Sequence, residues 1–463
     1  MAHPTYHLWC IGCQMNEADA LRAASLLERA GYRPSPRPDD ADFHLLATCV
    51  IRQQAEDKIH LRLRQLAGIR RRRRITVALL GCFVGRTPAQ RDAILAAYPF
   101  VDLLLSPSDL APLESYLAAH PLPLECAPGD APDGPASPGP TTLPPESPDP
   151  IALDPAAPLF PPSLPVPVTA HLPVVLGCSH ACTYCIVPYR RGPERSRPSA
   201  LVLDEARRLV ASGVREITLL GQIVDRYGLD RPGEILLPEL LRRVAAIPGL
   251  LRLRFLTSHP SWFTDELVRT VAASTVVCPH FEIPVQSGSD SVLAAMRRGY
   301  AADDFRALVS RIRSAIPGAG ISTDIIVGFP GETPADFDAT LALIRDTAPD
   351  MVRIAKYSPR PQTWSARHLP DSVPEPEKER RRAALDSLLR AILEEKHAAL
   401  LGTTATVLVE SVDPAPGRRH GRRRGRTPDH KLVFVENTDA PPGTLLPVRI
   451  AWTGPYSLLA SPA

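Results

Sequence analysis

The chain has 463 residues, 44% hydrophobic and 22% charged, enough to bury several cores of ordinary domain size, which excludes a small disulfide-stapled scaffold. Lys plus Arg exceeds Asp plus Glu by only 53 to 50, a formal charge of +3, so any signal for a nucleic-acid partner must be local. The opening MAHPTYHLWCIGCQMNEADA lacks the basic flank, apolar run and small-residue cleavage site of an export signal. Nowhere do about 20 uninterrupted apolar residues occur. The expectation is a cytoplasmic protein without a membrane segment, whose nine cysteines are buried thiols, catalytic thiols or ligands rather than disulfides.

Residues 1–119 alternate strand-like runs (YHLWCIG, ADFHLLAT, ITVALLG, FVDLLLS) with helical patterns (EADALRAASLLERAG, QAEDKIHLRLRQLAG), the rhythm of a Rossmann-like parallel-sheet domain. Residues 120–170 break it: from 121 to 170 there are 17 prolines and six acidic residues with no Lys or Arg. Such a segment cannot form an apolar core and reads as a disordered linker. Its six negative charges leave the remainder of the chain at +9, from +3 minus −6, and so uncover a basic bias.

From 171 to 374 the strand-like LPVVLG, REITLLG, LRLRFLTS, HFEIPV, ISTDIIVGF and MVRIAKYS alternate with helical runs such as LVLDEARRLVASG and DFRALVSRIRSAI, predicting a complete or partial (β/α) barrel. A charged helical connector is expected at 375–400. A small β domain follows over 401–463, in TATVLVESV, KLVFVENT and LLPVRIAW.

The sharpest local signal is GCSHACTYCIVPYRRG, where Cys178, Cys182 and Cys185 form C-x3-C-x2-C directly after LPVVLG. Three thiolates there suit iron–sulfur chemistry or zinc, and the spacing alone does not separate the two. A structural zinc site wants a fourth Cys or His, and His180 is awkwardly close in sequence to serve. A three-cysteine iron cluster at a barrel entrance instead leaves one iron able to bind S-adenosylmethionine, and in this the segment resembles the radical S-adenosylmethionine superfamily.

A second constellation is Cys13 in GCQMN, Cys49 in ATC and Cys82 in GCFVGR, each following a predicted strand. In a parallel sheet those three loops emerge on one edge and can meet, although separate buried thiols are the plainer alternative. These segments, with IPVQSGSD, DIIVGFPGE, YSPRP and the terminal β domain, closely resemble methylthiotransferases of the MiaB-like family over nearly the whole chain outside the proline-rich insert.

The resemblance implies an N-terminal α/β domain with an auxiliary [4Fe-4S] cluster on Cys13, Cys49 and Cys82. It implies a radical domain with a second [4Fe-4S] cluster on Cys178, Cys182 and Cys185, and a C-terminal TRAM domain. It further implies cleavage of S-adenosylmethionine to a 5′-deoxyadenosyl radical, sulfur supplied through the auxiliary cluster, and a methyl group from a second S-adenosylmethionine. GCQMN together with Arg52, Ala55, Glu56 and Lys58 most resembles the members that place a methylthio group on C2 of N6-isopentenyladenosine at tRNA position 37. Relatives acting on N6-threonylcarbamoyladenosine or on a ribosomal-protein aspartate are the alternatives. A noncatalytic iron–sulfur RNA-binding protein is the alternative of a different class.

Ala47, Ile223, Asp225, Glu282 and Gln362 depart from the family pattern, where Asn, Asn-containing text, His and Gly are common, and are expected to retune packing, cofactor contact or the adenosine pocket. Gln286 and Ser287, with Ser289, and Asp324 stand at probable strand ends as candidates for contact with S-adenosylmethionine or substrate. Gly328, Pro330 and Gly331 would shape the following turn. Arg418, Arg419, Arg422, Arg423, Arg424 and Arg426 concentrate charge suited to RNA phosphates, with a solvated loop as the alternative, and the run Arg70–Arg74 is open to either reading. His44, His60, His171, His259, His280 and His430 show no metal-site spacing, and Cys10, Cys126 and Cys278 fall outside both triads. The partners expected are the tRNA anticodon arm and an electron donor such as flavodoxin or ferredoxin, acting on a monomer.

Overall fold

The computed structural model describes residues 3–122, 159–413 and 422–463. Cys126, Arg418, Arg419 and most of the proline-rich stretch lie outside the described residues. The chain divides into two compact units: the first takes in residues up to 165 together with 176–180 and 185–197, the second 166–175, 181–184 and 198–463.

The first unit runs β1 (Thr5–Cys10), α1 (Gln14–Arg29), β2 (Arg33–Pro34), β3 (Phe43–Thr48), α2 (Gln53–Arg70), β4 (Thr76–Gly81), α3 (Pro88–Ala97), β5 (Leu103–Leu105) and α4 (Ala111–Ala119). The strands form one parallel sheet in the order β2-β1-β3-β4-β5. All six residues of β3 are buried, as a strand covered on both faces requires. Alternation divides it: Leu46 faces Ile59, Leu63 and Leu66 of α2, while Phe43 and Leu45 face Ala23 and Leu27 of α1 and Leu113 of α4. The order reverses between β1 and β3, so their carboxyl ends flank a topological switch point, where α/β sheets of this kind open a crevice.

The end of the expected linker is ordered in its own way. Ser163 donates from its backbone and hydroxyl to Glu28, and Phe160 O accepts from Ser25 Oγ at 3.3 Å, so this part of the chain docks on α1. The next strand, β6 (Thr169–Pro173), starts inside the predicted linker range. The single strand expected at LPVVLG is divided: β6 ends at Pro173, Val174 N still donates to Leu220 O at 2.8 Å, and the chain resumes as β7 (Val175–Leu176), which pairs in a separate two-stranded sheet.

Beyond β7 come α5 (Val187–Arg191), β8 (Arg195–Ser196), α6 (Ser199–Ser212), β9 (Glu216–Leu220), α7 (Leu237–Ala245), β10 (Arg252–Leu256), α8 (Asp265–Ala272), β11 (His280–Glu282), α9 (Asp290–Ala295), α10 (Ala302–Ala315), β12 (Gly320–Val327), α11 (Pro334–Thr347) and β13 (Met351–Lys356). In the second unit β10-β9-β6 and β11-β12-β13 are each parallel, and a bridge between Leu253 and Val277 links the two sets into a partial (β/α) barrel. After α12 (Trp364–His368), α13 (Glu375–Ala398) buries Arg381, Leu385, Leu389, Leu393 and His397 along one stripe of helical spacing.

The chain ends in a closed barrel in the order β14-β15-β16-β18-β17, built from β14 (Thr404–Asp413), β15 (Arg422–Arg426), β16 (Leu432–Val435), β17 (Leu445–Thr453) and β18 (Leu458–Pro462). Val407, Val433, Val435, Val448, Ile450 and Leu458 fill it. Arg252 and Arg254 of β10 reach the barrel's backbone, donating to Arg426 O, Thr406 O, Pro428 O and Thr427 O. Among the described residues no helix is long and apolar enough to cross a membrane.

Candidate iron–sulfur and nucleotide site

Cys13, Cys49 and Cys82 follow β1, β3 and β4, and adjacent parallel strands carry all three to one edge of the first unit's sheet. Two of them are preceded by glycines with left-handed backbone. At Gly12, with φ +139, a Cβ would lie 2.8 Å from Cys49 Cβ; at Gly81, with φ +103, it would lie 2.6 Å from Thr48 O. Only glycine lets these loops pass so closely. Cys13 caps α1, and Asn16 in its first turn donates to Ile11 O at 2.8 Å, tying loop to helix.

Burial, then the neighbouring Cys82, pushes the Cys49 thiol up to about 11. Burial raises Cys82 too. Arg191 opposes both shifts, and its Nε donates to Cys82 Sγ at 3.2 Å. Burial works against the charge on Arg191, but Cys82, Cys13 and Asp19 outweigh it and hold the guanidinium above the ordinary arginine range. Three soft donors at a switch point, with a buried cation beside them, fit an anionic iron–sulfur cluster better than separate inert thiols.

The second triad lies in one loop. Gly177, at φ +68, precedes Cys178; a Cβ there would lie 2.1 Å from Pro193 O, and Cys178 N donates to Gly192 O at 3.0 Å. Cys178 is buried, while Cys182 and Cys185 are half-buried. Cys182 Sγ accepts from Arg298 Nη1 at 3.2 Å. Arg298 also donates to Tyr300 Oη and Pro284 O, at 2.9 and 2.8 Å, so a buried arginine again stands on a cysteine sulfur. Among the described residues no group of three His, Cys, Asp or Glu side chains is placed to hold a single metal ion. The fit of the second loop to a cluster rests on its three thiols and on the Arg298 charge.

Gln286 follows β11 in left-handed backbone, φ +77; its N donates to Asp324 O at 2.8 Å and its O accepts from Ile326 N at 2.9 Å. This pins the turn against β12. Ser287 is fully buried, its hydroxyl 3.3 Å from Thr340 Oγ1, which places it inside the scaffold of the turn. Ser289 caps α9 and donates to Asp336 at 2.5 Å. Asp324 is half-buried and pairs with Arg353 at 3.4 Å.

Four of the departing residues acquire concrete partners or geometry. Ala47 is fully buried in β3. Asp225 accepts from His259 N at 3.0 Å. Glu282 pairs with Arg353 at 2.6 Å, so an ion pair occupies this part of the barrel. Gln362 adopts φ +80, which explains why glycine suits that position. Ile223 is buried ahead of a short 3-10 turn, and nothing in its surroundings explains the change.

The basic clusters are less open than their sequence implied. Arg422, Arg423 and Arg426 pair with Glu436, Asp439 and Glu410 of their own barrel, whereas Arg424 is exposed. In the run Arg70–Arg74, Arg70 forks onto Asp102 at 2.5 and 2.9 Å, Arg72 stands 3.6 Å from Asp39, and Arg73 pairs with Asp42. Cys10 is exposed at the end of β1, and Cys278 is buried near Arg254 and Arg252. Arg191, Arg298 and Arg353 were not singled out from sequence. Arg191 stood inside the quoted cysteine motif, but its partner is 109 positions away.

Known proteins extend this picture. The Radical SAM superfamily pattern matches residues 172–344, and that of "Uncharacterized protein family UPF0004" matches residues 5–106. A protein of Chloroflexus aurantiacus is 43% identical over 99% of this chain and 91% of its own length; one of Roseiflexus sp. is 42% identical over 98% and 88%. One of Dehalococcoides mccartyi is 40% identical over 99% and 98%, and all three are named tRNA-2-methylthio-N(6)-dimethylallyladenosine synthase. Among solved structures, the radical S-adenosylmethionine methyltransferase TsrM of Kitasatospora setae shares the fold, with TM-score 0.52 and 16% identity over 79% of this chain and 77% of that one. The chain therefore belongs to the tRNA-2-methylthio-N(6)-dimethylallyladenosine synthase family of radical S-adenosylmethionine enzymes.

Proposed function

We propose that this enzyme adds a methylthio group to C2 of N6-isopentenyladenosine at position 37 of tRNA, and that its six loop cysteines divide the work. Cys13, Cys49 and Cys82 would hold an auxiliary [4Fe-4S] cluster, and Cys178, Cys182 and Cys185 the radical one. When bound, the two clusters and S-adenosylmethionine supply the reducing electron, the hydrogen-abstracting radical, the sulfur and the methyl group. The observation that carries this reading is the gathering of three cysteines at one sheet edge in a chain that separately carries C-x3-C-x2-C.

The protein's own contribution is placement and charge. Arg191 and Arg298 each put a fixed positive charge on a ligand sulfur, which favours the thiolate form. The Gln286–Asp324 backbone pairing and the Ser289–Asp336 cap hold the turn after β11, a position from which Gln286 and Asp324 would orient S-adenosylmethionine or the base. Exposed Arg424 on the terminal barrel would take an RNA phosphate of the anticodon arm, with Arg422, Arg423 and Arg426 shaping the strand through their ion pairs. A small electron-transfer protein such as flavodoxin or ferredoxin would supply electrons to a cytoplasmic monomer.

The test is anaerobic cluster reconstitution, incubation with isopentenylated and unmodified tRNA, and mass spectrometry of the nucleosides. A methylthio mass gain confined to the isopentenylated nucleoside is expected. Iron-loaded, reduced protein that cleaves S-adenosylmethionine but leaves that nucleoside unchanged would refute the substrate assignment.

A further inference from the structure

The two arginines that stand on cysteine sulfurs are used differently. Arg298 assigns Nε to Tyr300 Oη, Nη1 to Cys182 Sγ and Nη2 to Pro284 O. Arg191 assigns Nε to Cys82 Sγ, but its Nη2 is buried with no hydrogen-bond partner among the described residues, on a side chain only 6% exposed. A buried guanidinium N–H left unpaired is costly, and such an orphan marks a place where something else accepts.

The surroundings restrict what that acceptor is. Cys13, Cys49 and Cys82 are the donors gathered here, and three thiolates leave one iron of a four-iron cluster without a protein ligand. Asp19, a buried carboxylate whose charge acts on Arg191, accepts from Ser108 N and Oγ at 3.1 and 3.0 Å through Oδ2. A planar guanidinium with one arm on a ligand sulfur is suited to place its second arm on another anion of the same assembly.

We infer that Arg191 is a positioning residue for sulfur: its Nε fixes Cys82 and its Nη2 receives an anionic sulfur species, hydrosulfide or an organic thiolate, bound at the auxiliary cluster's open iron. This rests on the assignment of that cluster to Cys13, Cys49 and Cys82. Arg191 lies six residues after Cys185, so one short segment carries both a radical-cluster ligand and the arm that holds sulfur at the other site.

The test uses the full chain with Cys178, Cys182 and Cys185 all changed to Ala, so that the auxiliary cluster alone is reconstituted. Sodium hydrosulfide is titrated against it by electron paramagnetic resonance, and the cluster's midpoint potential is measured in the same samples. Arg191→Met is expected to weaken hydrosulfide binding about tenfold or more, the loss of one charge-assisted bond. It should also move the midpoint to a more negative potential, because a cation beside the cluster has gone. Arg191→Lys keeps the charge without the fork, and should hold the midpoint near its original value while still weakening hydrosulfide.

Unchanged hydrosulfide affinity in either iron-loaded variant overturns the inference. If Arg191→Met fails to load iron, Arg191→Lys decides by its hydrosulfide affinity alone. Failure of the cluster assignment itself looks different: the background with Arg191 intact would then bind no iron, and both readings would fall together.

Discussion

Cys13, Cys49 and Cys82 are drawn from three strand ends across the first unit, whereas Cys178, Cys182 and Cys185 come from one loop. The first set exists as a set only once β1, β3 and β4 pair in parallel register. The second needs no sheet pairing to bring its thiols into one segment. Both end with one sulfur accepting from a buried arginine at 3.2 Å, and both use glycine in left-handed backbone just before a cysteine. A non-local site of this kind depends on the fold's stability, while a local one depends chiefly on the shape of its loop.

The largest effect that separates the two comes from deleting a ligand. Cys182→Ala should remove radical-cluster iron and lower product formation more than about 100-fold, since even outer-shell changes at metal sites cost 10–100-fold. Retained iron and turnover would contradict its role. Cys49→Ala should abolish methylthiolation to a similar degree yet leave detectable 5′-deoxyadenosine, and chromatography of the quenched reaction reads both products. Loss of both activities alike would erase the proposed division of labour.

Backbone changes come next. Gly12→Ala puts a Cβ 2.8 Å from Cys49 Cβ at a φ of +139, and should destabilise the first unit by about 1–3 kcal/mol. Its auxiliary iron content should fall while radical-cluster iron is retained. Gly177→Ala meets the Pro193 carbonyl oxygen at 2.1 Å, and should do the reverse: loss of radical-cluster iron with the sheet's melting transition little changed. Denaturant unfolding with iron analysis checks the pair. Equal melting shifts in both variants would remove the distinction between a site made by the fold and one made by a loop.

Much of this contrast was legible in the sequence. The runs of β3 and β4 read as strands of a parallel sheet, and a cysteine after each put their loops on one edge of it. C-x3-C-x2-C is readable because its chemistry lies within one segment. The division of LPVVLG was not readable, because β7 passes to a second sheet and pairs with β8, a partner about 20 positions further on. The arginines were another matter. Arg191 and Arg298 act on sulfurs 109 and 116 positions away, contacts that no local spacing encodes. The ion pairs of the basic runs were hidden in the same way: Arg70, Arg73 and Arg426 meet Asp102, Asp42 and Glu410, which are distant in sequence. Arg424 of β15 is the exposed member of its run.

The smallest effect is expected there. Arg424→Ala should weaken tRNA binding a few-fold and reduce the salt dependence of binding by about one phosphate contact, with both clusters unaltered. Filter binding across a salt series measures it, and an unchanged slope would assign Arg424 to solvent.

Iron stoichiometry tests the central claim most directly. The wild-type chain and two triple alanine variants, one at Cys13, Cys49 and Cys82 and one at Cys178, Cys182 and Cys185, should be reconstituted side by side and counted by metal analysis and Mössbauer spectroscopy. Two independent four-iron clusters predict about eight irons in the wild type and about four in each variant, with [4Fe-4S] spectra in all three. A variant that keeps the full wild-type iron, or a wild type holding only about four, would contradict the assignment of one cluster to each triad.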